Sequence, residues 1–102
     1  MNNYELEFSP RFYDDYDDAI DYINNELKNP IAANALIDET AICLGRIKDF
    51  PGIGFTPKYI SAEYRFAICK GYLILYKFDN DRILIERFFH SSQDYVSILL
   101  AD

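Results

Sequence analysis

The stretch from Glu63 to Phe89 constrains this chain more than any other part of it. It holds three β-rich runs, residues 64–69, 72–78 and 82–89, parted only by Lys70-Gly71 and Asp79-Asn80-Asp81. Breaks this short leave no room for a crossover helix, so each run must turn back beside the one before it. Tyr, Phe, Ile and Leu dominate the runs and suit a pleated, half-buried surface. A three-stranded antiparallel meander is therefore expected.

The half that precedes it has a different period. Tyr4-Glu5-Leu6-Glu7-Phe8 alternates large apolar residues with acids and predicts a first strand with one buried face. Ser9-Pro10 then offers a helix N-cap followed by proline where its missing N–H costs nothing. Phe12, Tyr16, Ala19, Ile20, Ile23 and Leu27 fall on one face at helical spacing. Asp14, Asp15, Asp17, Asp18 and Asp21 lie mostly elsewhere around that helix and read as a solvated acidic side.

Asn29-Pro30 repeats the cap-and-proline signal, and Ala33, Leu36, Ile37, Thr40, Ala41, Leu44 and Ile47 form a second stripe. Phe50-Pro51-Gly52-Ile53-Gly54 ends that helix, with the two glycines expected to supply unusual backbone angles. A loop then runs to about Ala62. Residues 93–100, through Tyr95, Val96, Leu99 and Leu100, predict a last short helix. The order β-α-α-β-β-β-α describes a two-layer α+β fold, with the first strand and a helical hairpin packed on a mostly antiparallel sheet.

With 102 residues, half of them apolar and 17% aromatic, the chain suffices for one domain over 1–102 with a core that needs neither metal nor disulfide. Cys43 and Cys69 lack the close Cys/His spacing of a zinc site and read as buried reduced thiols. No apolar run approaches the roughly 20 residues that span a bilayer, and Met-Asn-Asn-Tyr-Glu-Leu-Glu lacks a basic segment followed by an apolar one. A cytoplasmic protein with no membrane partner and no cofactor is expected.

The formal charge of −7 is unevenly spread. Residues 1–45 carry ten acids against Arg11 and Lys28, whereas residues 46–102 carry eight bases against seven acids. Any anionic ligand would have to be met by the second half.

Taken together, Ser9-Pro10, Asn29-Pro30-Ile31-Ala32-Ala33, Phe50-Pro51-Gly52-Ile53-Gly54, Tyr64-Arg65, Gly71-Tyr72-Leu73-Ile74-Leu75-Tyr76, Arg87-Phe88-Phe89-His90 and Asp94-Tyr95 resemble, in this order, the RelE/ParE toxins, also called plasmid-stabilisation proteins. The resemblance covers nearly the whole chain. It implies the toxin of a bacterial type II toxin–antitoxin pair, a cognate antitoxin as partner, and growth inhibition through one of two targets. RelE-like members cut mRNA on the ribosome, and ParE-like members inhibit DNA gyrase by protein contact.

The nuclease members carry an Arg on the second meander strand where this chain has Leu73, and Gly71-Tyr72-Leu73-Ile74-Leu75-Tyr76 with Lys77 is more similar to the ParE-like branch. Where that branch usually continues with glycine and a basic residue after the histidine, this chain has Ser91-Ser92-Gln93-Asp94. A toxin that retains only antitoxin binding is a third reading.

Were the chain a nuclease, metal-free RNA cleavage would need an acid or base for the 2′-hydroxyl and leaving oxygen, and cations for the phosphorane-like transition state. Arg65, Arg87, His90 and Tyr95 are the candidates, with Arg65 and Arg87 expected to share a sheet face and His90 to leave the strand end beside them. The plainer alternative has Arg65 paired with Glu63 or another acid, Arg87 paired across strands, and His90 as a turn residue. Lys58, Lys70, Lys77 and Arg82 could add a basic patch on the sheet side.

Overall fold

The computed structural model describes residues 4–58 and 60–101, so the opening Met-Asn-Asn, Tyr59 of the connecting loop and Asp102 lie outside it. Strand β1 (Glu5–Phe8) leads into helix α1 (Pro10–Asp21), where Ser9 caps the first turn by accepting from the Phe12 N–H at 3.1 Å. Helix α2 (Pro30–Asp49) opens with Asn29 accepting from the Ala32 N–H. The meander follows as β2 (Arg65–Cys69), β3 (Tyr72–Phe78) and β4 (Arg82–His90), and α3 (Tyr95–Ala101) ends the described chain.

The sheet has the order β1-β4-β3-β2. The meander is antiparallel as its short breaks require, while β1 pairs parallel to β4, which the intervening helices permit. Lys70 and Gly71, at φ 47 and 84, both take left-handed backbone and make the two-residue turn between β2 and β3.

The helical hairpin packs on one sheet face. Phe12, Leu36, Cys43 and Ile47 meet Ile74, Tyr76, Ile83, Ile85 and Phe88 in the main core. On the other face Phe66, Leu73, Leu75 and Phe89 form a smaller cluster, covered by Ile60, Tyr64 and by Tyr95, Ile98 and Leu99 of the α3 region.

Three details differ from the sequence expectation. The first helix does not continue regularly to Leu27: a π turn over Tyr22–Glu26 closes with Leu27 N–H donating to Tyr22 C=O, and Lys28 follows at φ 48. The wider turn rotates Leu27 out of the stripe and leaves it 56% exposed. In α2 the buried line is Ala33, Leu36, Thr40, Cys43 and Ile47, a three-four alternation that puts Ile37 and Ala41 on the exposed flank. Gly54, finally, has ordinary extended angles (φ −72, ψ 160).

Gly54 is required instead by proximity. A Cβ there would lie 2.6 Å from Tyr76 Oη and 2.7 Å from the Phe66 carbonyl oxygen. Tyr76 is fully buried, and its hydroxyl donates to the Pro51 C=O at 2.6 Å and accepts from the Gly54 N–H at 3.0 Å. The Pro51–Ile53 turn is thereby fastened to the middle of the sheet.

Candidate functional site

Register divides the four proposed nuclease residues. Arg65 stands opposite Tyr76, whose side chain lies in the main core, whereas Arg87 stands opposite Leu75 of the second cluster. The two arginines therefore occupy opposite sheet faces and do not converge on one phosphate, contrary to the expectation that they share one. The physical reason is the period of two along each strand, combined with a β-bulge at Glu86 that shifts the β3–β4 register between Leu75 and Tyr76.

Each side chain has a local occupation. Arg65 donates from Nη1 to the Gly54 C=O at 2.8 Å and lies over the Phe78 ring, which binds it to the same turn as Tyr76. It does not pair with Glu63, whose carboxylate faces Lys77 at 3.9 Å. Tyr95 packs edge-on against Phe66 at 4.8 Å between ring centres, as part of the cover on the second cluster.

Arg87 is held by Asp15 through Nε to Oδ2 at 2.7 Å and Nη2 to Oδ1 at 3.0 Å, and it stacks over Phe89. The same Oδ2 accepts from the Phe88 N–H at 3.0 Å. Asp15 is thus not a solvated acid. Its spacing from Phe12 and Ala19, three and four residues away, already set it on the flank of the apolar face, and that was the legible signal.

His90 remains exposed at the end of β4, edge-on to Tyr72. Its Nδ1 accepts from the Ser92 N–H at 3.1 Å and lies 2.6 Å from Ser92 Oγ. Of the four suggested basic-patch residues, Lys77 pairs with Glu63, and Arg82 pairs with Glu7 at 3.4 Å and Asp81 at 4.0 Å, so acids offset those two charges.

Two grooves flank this region. One, of about 650 Å³, lies on the α3 side and is lined by Arg11, Ser61, Tyr64, Glu86, Arg87 and Leu99, among others. The second, of about 690 Å³, runs between α1 with its π turn and the open end of β3 and β4. Asp18, Tyr22, Leu27, Tyr72, Phe88 and His90 line it. Sequence reasoning names Arg87 and His90 for chemistry, and Tyr72 and Phe88 as aromatics that could offer stacking surfaces, but not the grooves themselves, because groove walls assemble from distant segments. Among the described residues no group of three His, Cys, Asp or Glu side chains is arranged to hold a metal, and no helix is long and apolar enough to cross a membrane.

The family model of the ParE toxin of type II toxin–antitoxin systems, parDE, matches residues 6–95. The chain belongs to the ParE toxin family. Its fold is similar to those of solved chains from toxin–antitoxin systems at low identity. A chain of the chromosomal ParDE TA system from P. aeruginosa aligns with a TM-score of 0.71 at 13% identity, covering 86% of this chain and 96% of that one. A chain of the RelBE2 toxin–antitoxin complex from Mycobacterium tuberculosis aligns at 0.61 with 19% identity, over 86% and 98%.

A third, from the E. coli DinJ-YafQ toxin–antitoxin complex, aligns at 0.60 with 10% identity, over 86% and 92%. No curated protein matches the chain. For this ParE-family chain the α+β fold and the type II toxin class follow. At these identities the solved structures speak for the fold alone.

Proposed function

We propose that this ParE-family toxin acts by protein contact on DNA gyrase, arresting growth in the cytoplasm until a cognate antitoxin covers it. The observation that carries the reading is the separation of Arg65, Arg87 and Tyr95: one arginine braces a turn, the other is paired with Asp15, and the tyrosine packs in the second cluster. Leu73, where nuclease relatives resemble one another in carrying arginine, is buried in that same cluster. An enzyme that stabilises a phosphorane needs cations converging on one point.

The test is a supercoiling assay with purified gyrase and micromolar toxin. Inhibition that is reversed by the product of the neighbouring reading frame is expected, and unimpeded supercoiling overturns the proposal. One observation favours the RelE-like alternative: His90 is exposed at the end of β4, edge-on to Tyr72, where a substrate could reach it. In that case primer extension after induction shows codon-positioned cuts that His90→Ala removes. Absence of growth arrest without antitoxin would instead select the toxin that retains only antitoxin binding.

A further inference from the structure

Strand β2 is an open edge of the sheet, and the described chain pairs with only its first half. Phe55 and Phe66 exchange N–H to C=O bonds in both directions, at 2.9 and 2.8 Å, and no other described segment pairs with that edge. Because outward-facing backbone recurs at every second residue, Ile68 presents its N–H and C=O to the same side. Its carbonyl meets the Cys43 thiol at a long 3.9 Å, and its side chain is 69% exposed. Neither a charge nor a proline interrupts residues 66–69, although such residues are what ordinarily keep an exposed edge from pairing.

Apolar surface continues on both sides of this edge. Ile53 and Phe55 line a shallow groove with Ile68, Cys43 and Arg46, and Ile42 stands exposed one residue before Cys43 on α2. The open surface of Ile42, Ile53, Phe55 and Ile68 comes to roughly 400 Å². An ordinary protein interface takes about 800 Å² from each partner, a little over half of it apolar. The patch is thus close to the apolar share of one such interface.

The charges on α2 select what covers it. Cys69 Sγ donates to the Glu39 C=O at 3.5 Å and Arg46 lines the edge groove, so the turns from Glu39 to Arg46 lie over β2. Glu39, Ile42 and Arg46 are spaced three and four residues apart on one helix face, with the apolar residue between opposite charges. Neither the Glu39 nor the Arg46 side chain has a hydrogen bond or an ion pair among the described residues. Such a stripe is complementary to itself run backwards, Glu39 to Arg46, Ile42 to Ile42 and Arg46 to Glu39. One two-fold axis, normal to the sheet beside Ile68, reverses strand and helix together and sets two β2 strands antiparallel with Ile68 opposite Ile68.

We propose that two copies of the free toxin associate through this edge, joining their sheets at Ile68 and their α2 helices through Glu39 and Arg46. The inference is independent of the toxin's target.

Sedimentation equilibrium of the whole chain, free of antitoxin, should show a mass that rises with concentration towards twice that of one chain, and exchange of the Ile68 amide should slow in step. Glu39→Arg and Arg46→Glu each set like charges against one another and should weaken association by about tenfold. An equimolar mixture of these two variants recreates both opposite-charge pairs and should associate as tightly as the parent. Ile68→Asp should abolish association, with the circular dichroism of each variant unchanged.

A chain that stays monomeric, a dimer whose Ile68 amide exchanges freely, or folded charge variants that do not recover on mixing would each refute the proposal. Growth beyond two copies would mean an edge left unsealed and would refute the two-fold arrangement. Protection of Ile68 only when the product of the neighbouring reading frame is bound would assign the edge to that protein instead. Should a variant fail to fold, Ile68 exchange in the parent chain decides by itself.

Discussion

Asp15 of α1 grips Arg87 of β4 with two oxygens, at 2.7 and 3.0 Å, and uses one of them again for the Phe88 N–H. The pair is largely withdrawn from water, with side chains 11% and 18% exposed for Arg87 and Asp15. It sits beside the Glu86 bulge, where Ser9 Oγ donates to the Glu86 C=O at 2.5 Å, so α1 is stitched to the one irregular point of the β3–β4 ladder.

Breaking such a pair from one side strands a charge. Asp15→Ala is expected to lower the unfolding free energy by about 3 kcal/mol, and the Asp15→Ala/Arg87→Ala double variant to lose less than the two single losses added together. Urea denaturation of the three variants measures this. A loss below about 1 kcal/mol for Asp15→Ala would mean that the pair behaves as an exposed one.

Tyr76→Phe removes the hydroxyl that serves Pro51 and Gly54 and leaves a buried carbonyl and N–H without partners. A loss of about 1–3 kcal/mol is expected. Gly54→Ala forces a methyl against Tyr76 Oη and the Phe66 carbonyl and should cost about as much or more. In the double variant Tyr76→Phe relieves only the first of these clashes, so part of the Gly54→Ala loss remains. Thermal unfolding followed by circular dichroism distinguishes the cases.

Burial pushes the Cys69 thiol up to about 12, with the neighbouring Cys43 adding to the effect. The unfolded thiol ionises near its ordinary value of 9.0 while the folded one keeps its proton. Stability from this source is therefore complete below about pH 9 and falls progressively as pH rises towards 12. Burial also raises Tyr76 and Tyr72, which steepens the decline at its alkaline end. Cys69→Ala should flatten the early part of the decline in denaturant midpoint between pH 8 and about 10, and an unchanged slope would assign it elsewhere.

Lys70 holds left-handed backbone that a side chain resists, next to Gly71, which tolerates it. Lys70→Asn should stabilise the turn by about 0.5–1 kcal/mol, whereas Gly71→Ala should destabilise it by a comparable amount. Denaturation midpoints of the two variants should move in opposite directions.

Local chemistry was enough for the elements. Ser9-Pro10 and Asn29-Pro30 set the helix starts, Lys70-Gly71 the hairpin, and alternation the strands, because each signal acts over a few residues of backbone. The parallel seating of β1 on β4 was beyond such reasoning, since it depends on how the helical hairpin returns the chain.

The candidate site was less legible. Arg87 and His90 could be named as chemistry-bearing, but the partner of one and the surroundings of the other come from α1, more than 70 positions away in the first case. Arg65 and Arg87 looked like neighbours on two strands of one meander. A bulge of one residue and the two-residue period of the strands put them on opposite faces.

The sequence alone thus determined the α+β order, the turn positions, the acidic first half and the family resemblance, all of which are properties of residue type and spacing. Tertiary structure alone decided that Asp15 is a structural anion, that Gly54 is needed for Tyr76, and that the π turn leaves Leu27 open beside a groove. Those depend on which distant surfaces come within a few ångströms of each other, and spacing along the chain carries no record of that distance.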